Sequence, residues 1–163
     1  MPRSTGVTLP PFQAVYDEHR DVVWRFVVSL VGRADADDVF QETWLAALRS
    51  YPSLRDARSL RAWVLTVAAS KAVDEHRARA RRPAPVDGVP DRAALGCPDP
   101  PDDRLWAGVR ELPAKQRTAL AHRFVADLAY ADIAVAMGTT PAAARRNVHE
   151  ALTKLRTTWL AEQ

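Results

Sequence analysis

The chain has 163 residues, a formal net charge of +3 and 47% hydrophobic residues, enough for one medium core or two small ones. Its single cysteine, Cys97, excludes an intramolecular disulfide framework and fits a reducing cytoplasm. The apolar stretch Val22–Val31 is broken by Arg25 and falls well short of the ~20 residues that cross a bilayer, and no signal-peptide pattern opens the chain.

Met1–Pro11 reads as a loose tail. After it, Phe12, Val15, Tyr16, His19, Val22, Val23, Phe26, Val27 and Leu30 recur at helical spacing and predict one amphipathic helix ending near Gly32. His19 falls on the apolar stripe and reads as a packed imidazole. A second helix is expected to open at Asp35 or Asp37, both suitable caps. Val39, Phe40, Thr43, Trp44, Ala47, Leu48 and Tyr51 form its apolar stripe. Asp38, Gln41, Glu42 and Arg49 lie opposite, and Pro52 closes it. Ser59 caps a third helix running towards Arg82, with Leu60, Trp63, Val64, Val67 and Ala68 on its buried side. Beyond Asp74 arginine replaces apolar residues, giving a basic rod suited to a phosphate backbone.

Residues 83–103 contain Pro83, Pro85, Pro90, Pro98, Pro100 and Pro101 with Gly88 and Gly96, which excludes helix or inner strand. They read as a semi-rigid linker whose extended reach is roughly 60–70 Å. The last third then gives a short helix around Leu128–Ala134, a turn at Gly138-Thr139-Thr140 and a longer basic helix over Pro141–Arg156. That is the helix-turn-helix layout that enters a DNA major groove. Thr140 is a suitable N-cap and Pro141 a suitable first helical residue. Ala144, Val148, Ala151 or Leu152, Leu155 and Trp159 form the inner stripe. Arginine supplies 20 of the 23 basic residues, and the two basic groups, Lys71–Arg82 and Arg145–Arg156, flank the linker. Two such patches suggest two contacts with one polyanion.

The fold class is therefore all-α: two small helical domains over residues 11–82 and 104–160, joined by the linker over 83–103. Two segments carry a family resemblance. Ala34-Asp-Ala-Asp-Asp-Val-Phe-Gln-Glu-Thr-Trp44, with Leu60-Arg-Ala-Trp-Val-Leu-Thr-Val-Ala-Ala-Ser-Lys-Ala-Val-Asp74, resembles region 2 of the extracytoplasmic-function sigma factors of bacterial RNA polymerase. Leu112-Pro-Ala-Lys-Gln-Arg117, Tyr130-Ala-Asp-Ile-Ala134 and Val148-His-Glu-Ala-Leu-Thr-Lys-Leu-Arg156 resemble their region 4.

The resemblance implies a set of roles. Asp35, Asp38, Gln41 and Glu42 would dock on the β′ coiled coil of core polymerase, with the β flap as a further contact. Arg61, Trp63, Ser70, Lys71, Arg77, Arg79 and Arg81 would engage the −10 element, where an unstacked base must be repaid by stacking and edge hydrogen bonds. Thr140, Arg145, Arg146, Asn147, His149 and Lys154 would engage the −35 element. There Arg145 or Arg146 would read a base edge, and His149 and Lys154 would touch phosphate. Promoter DNA and an anti-sigma factor are the other implied partners, and no membrane is expected. Three positions depart from the family pattern. Ser70 stands where Asn is frequent, Glu150 where a basic residue is frequent, and Ala129 where Ser is frequent. Asp127 is then the expected cap of the helix that follows.

No Gly-rich phosphate loop, nucleophile–His–acid set or metal-ligand spacing is present. The four histidines are scattered, and no catalysis, cofactor or metal is expected. The competing readings are a stand-alone helix-turn-helix regulator and a degenerate sigma-like protein that binds only another protein.

Overall fold

A computed structural model describes residues 8–57, 59–83 and 103–161, Asp103 by its backbone alone. Cys97 and most of the linker lie outside the described residues. Seven α-helices occupy these segments: α1 (Phe12–Val31), α2 (Arg33–Ser50), α3 (Leu60–Arg81), α4 (Asp103–Arg110), α5 (Ala114–Phe124), α6 (Tyr130–Met137) and α7 (Pro141–Ala161). The fourth helix starts one residue before the domain boundary expected at 104.

α1, α2 and α3 pack against one another as the first unit. α1 and α2 meet at the single residue Gly32, whose φ of 80° is a left-handed-side value that glycine adopts without steric cost. The joint leaves no room for an Asp cap. α2 begins at Arg33 with no side-chain cap, and Asp35 sits inside its first turn, where its charge still complements the helix dipole. A 3₁₀ turn over Tyr51–Ser53, with Pro52 inside it, ends α2. Ser59 caps α3 as expected, accepting from Ala62 N at 3.3 Å.

Aromatic rings fill the end of this unit nearest the N-terminus. Phe12, Tyr16, Phe40 and Trp44 meet edge to face at centroid distances of 4.8–6.5 Å. The Tyr51 hydroxyl donates to Pro10 O, which ties down the segment before α1. Two expected stripes shift. Leu48 is 51% exposed rather than buried. On α3 the fully buried line is Val64, Leu65, Ala68 and Ala72, while Leu60, Trp63 and Val67 are half-buried.

α4 to α7 form the second unit around Val109, Leu112, Ala119, Leu120, Val148 and Ala151. The α7 stripe uses Ala151 rather than Leu152, which is exposed. Gly138, at φ 61° and ψ 41°, closes α6, and its amide and that of Thr139 recover the last α6 carbonyls. Thr140 Oγ1 then accepts from Ala143 N at 3.1 Å and starts α7. Asp127 does not cap α6. It holds a left-handed φ of 55° after α5, and its carboxylate lies 3.7 Å from Arg123, so α6 starts at Tyr130 behind Ala129, which offers no side-chain cap.

The two units share one core. Ala121, Ala126, Leu128, Ile133 and Ala144 of the second are continuous with the α1–α3 core of the first. The run Val22–Val31 explains this: apart from Arg25 it is buried on every side, as a helix must be when layers cover both of its faces.

Candidate nucleic-acid and polymerase interface

On α2, Asp38, Gln41 and Glu42 are exposed along one outward strip, and Leu45 (45% exposed) and Leu48 (51%) continue it one and two turns further on. An acidic-amide strip running into two bare leucines offers charge-assisted hydrogen bonds and apolar contact together. Leu45 and Leu48 extend the strip beyond the residues expected from the sequence. Their signal was the i, i+3/i+4 spacing from Gln41 and Glu42, but apolar periodicity assigns a leucine inward by default. Asp35 stands apart from the strip: it is paired with Arg79 and ties the start of α2 to the basic end of α3.

The residues expected at the −10 element are spread along α3. Trp63 is half-buried beside Tyr51, the rings 5.9 Å apart. Arg77 and Arg81 are exposed, Arg81 Nε donating to Arg77 O at 3.1 Å. Lys71 lies 3.8 Å from Asp74, and Arg82 lies 3.2 Å from Glu75. Arg61 turns towards the second unit and donates from Nε (3.0 Å) and a terminal nitrogen (2.6 Å) to Ala126 O.

On α7 the exposed positions Ala142, Arg145, Arg146 and His149 share an outward face near the helix start. The Arg145 guanidinium stacks 5.0 Å over the Tyr130 ring, which Arg123 also approaches at 5.3 Å, so Arg145 is braced. Arg146 extends from the neighbouring position, and Asn147 is half-buried. Glu150 has a structural task that explains a carboxylate there: it accepts from Gln116 Nε2 at 2.8 Å and ties α7 to α5. Lys154 lies further down, in a groove of about 930 Å³ between α4 and α7 that Leu105, Leu155 and Trp159 also line.

Three histidines carry pKa values below the ordinary 6.5. Burial dominates for His19, with Arg61 also lowering it against Glu18. Burial and then Arg117 lower His76, against the Leu30 carbonyl contact at 3.0 Å and Asp35. His122 is brought to about 4 by burial. An unfolded chain binds more protons than the folded one between pH 4 and 6.5, so stability is complete above about pH 6.5 and declines as pH falls through that window. A thermal midpoint that drops between pH 7 and 4.5, less steeply in His122→Leu, is the expected result. A midpoint flat across that range would show that His122 is not held neutral by burial.

Among the described residues, no group of three or more His, Cys, Asp or Glu could hold a metal, and no helix is long and apolar enough to cross a membrane.

Sequence profiles for Sigma-70 region 2 and Sigma-70 region 4 match residues 15–82 and 102–155. The chain is 34% identical over 157 residues to the ECF RNA polymerase sigma factor SigL of Mycobacterium tuberculosis, covering 90% of this chain and 87% of that one. The protein belongs to the ECF sigma factor family. Its identity to the ECF sigma factor SigD of Mycobacterium bovis is 35% over 156 residues, covering 87% of this chain and 74% of SigD. The fold matches sigma factor RpoE of Bartonella quintana, solved with the anti-sigma factor NepR, at a TM-score of 0.74 and 21% identity over 95% of this chain and all of the other. It also matches CnrH, solved with the cytosolic domain of CnrY, at 0.70 and 18% identity over 93% and 89% of the two chains. This sigma factor is a non-enzymatic transcription initiation factor, and the presence of both regions in one chain leaves the stand-alone regulator without support.

Proposed function

We propose that this sigma factor docks on core RNA polymerase through the α2 strip, opens a −10 element along α3, and reads a −35 element with the start of α7. The observation that carries the DNA part is the α6–α7 geometry. A Gly138 turn and a Thr140 cap present Arg145, Arg146 and His149 on one exposed face of a helix N-terminus, and Tyr130 fixes the first of them. Arg146 is the base-reading residue in this proposal, since Arg145 is stacked. The α4–α7 groove is the seat for the β flap, its apolar lining suited to a short amphipathic helix. An anti-sigma protein is a further proposed partner, because RpoE was captured with one.

The test is transcription by core polymerase and the full chain from templates with a randomised upstream region. Enriched transcripts should share two short sequence blocks. Arg146→Ala should relax selectivity at one base of the upstream block, by about 5- to 150-fold if the contact is bidentate. Transcripts without any enriched upstream block, from a chain that binds core polymerase, would refute the promoter-reading assignment.

A further inference from the structure

The tie between Gln116 and Glu150 engages only one oxygen of the carboxylate. Gln116, on α5 and 8% exposed, donates from Nε2 to Glu150 Oε2 at 2.8 Å. A carboxylate only accepts, so the amide nitrogen must face it, and Gln116 Oε1 is left buried without a partner among the described residues. Burying an unpartnered carbonyl is costly, and two apolar side chains would join α5 to α7 without that cost. A purely mechanical tie therefore does not account for the pair. Glu150 is itself exposed, and its Oε1 has no partner among the described residues.

The tie also decides what Glu150 does not touch. Arg146 stands four residues before it and Lys154 four after, the spacing at which a helix pairs opposite charges. Among the described residues Glu150 pairs with neither. Gln116 thus draws the carboxylate away from Arg146, whose guanidinium keeps its donors. Both side chains are exposed on α7, ~6 Å apart along its axis. That is nearly two base steps of ~3.4 Å. A carboxylate carried into a major groove is repelled by phosphate and by the acceptor atoms of guanine and thymine. The donors on base edges there are the exocyclic amines of cytosine and adenine, and cytosine N4 is the usual partner of a glutamate.

We infer that Glu150 is a specificity-determining residue of α7. Its second oxygen accepts from N4 of a cytosine about two base pairs from the base that Arg146 reads. Gln116 is the positioning residue: it fixes the glutamate and stops it from neutralising Arg146. A carboxylate in the place of a basic residue then narrows the range of promoters rather than merely weakening the contact. The inference rests on the promoter-reading assignment above and adds a second base to it.

The test is transcription with core polymerase on the randomised template pool, using the full-length wild type, Glu150→Ala, Glu150→Gln, Gln116→Leu and Arg146→Ala, with a thermal midpoint for each. The wild type should enrich cytosine at one position of the upstream block, about two base pairs from the position that Arg146→Ala relaxes. Glu150→Ala should cut that cytosine preference at least about 5-fold. A tie that only joined α5 to α7 would instead weaken every upstream sequence alike. Glu150→Gln should move the preference from cytosine to adenine, because an amide pairs bidentately with adenine N6 and N7. Gln116→Leu should relax both positions, the released carboxylate then pairing with Arg146. An enriched upstream block whose base preferences are the same in wild type, Glu150→Ala and Glu150→Gln would overturn the inference and leave the promoter reading standing. If Glu150→Ala unfolds, Glu150→Gln decides: a move to adenine supports the inference, and an unchanged preference opposes it. A wild type without any enriched upstream block would overturn both.

Discussion

Charge reversal at Asp38 (Asp38→Arg) is expected to remove co-elution of this sigma factor with core RNA polymerase. Asp38 is exposed, and its α2 strip continues through Gln41 and Glu42 to Leu45 and Leu48. A carboxylate that meets a basic partner helix in a desolvated contact is worth about 2–4 kcal/mol, and reversal adds repulsion to that loss. Binding should therefore weaken by at least about 30-fold, and by up to about 1,000-fold. The exposed position makes the substitution harmless to folding, so the thermal midpoint should stay within about 2 °C of wild type. Leu48→Asp provides the apolar counterpart and should weaken binding while leaving the fold intact. Retained co-elution in both variants would detach the α2 strip from polymerase binding.

Phe26→Ala should be among the most damaging single substitutions. Phe26 is fully buried at the point where the two units meet, against the His122 ring. Removing a buried phenylalanine side chain costs about 3–5 kcal/mol through lost transfer free energy and the cavity left behind. That is a large part of the ~5–15 kcal/mol by which small proteins are stable. Because the ring serves both units, denaturant unfolding should also lose cooperativity. Probes in α2 and in α7 should report different midpoints, where wild type gives one. A loss below 1 kcal/mol with a single transition would mean that the units are not joined through this residue.

Five of the seven helices were legible in the chain, whereas α4 and α5 were not placed. Apolar periodicity located α1, and Ser59, Thr140 and Gly138 marked ends that the structure places where local chemistry requires them. The errors have physical causes. Asp35 and Asp37 are good caps, but the one-residue joint at Gly32 starts α2 before either can act. Leu48 obeys the α2 periodicity yet stays exposed, because the covered faces of α2 carry Ala36, Val39, Thr43, Trp44 and Ala47. Glu150 looked wrong beside a phosphate backbone, and its answer lies 34 residues away in Gln116. Long-range pairings of this kind, Arg61 with Ala126 and Arg79 with Asp35 among them, leave no local signature. His122 was invisible for the same reason: nothing in Ala121-His-Arg-Phe124 announces a ring that meets α1.

The double-sided burial of α1 also bears on how such a chain can change over generations. A linker rich in proline invites the view of two modules that selection could trade freely between relatives. Here the outer face of α1 and the second face of α5 form one fitted surface, with Phe26 on one side and His122 on the other. A change in shape on either must be answered on the other, so the two halves are constrained as a matched set. A hybrid joined at the linker from two divergent parents would bring together faces that never co-evolved, and transplanting α1 and α5 together is what would restore the match.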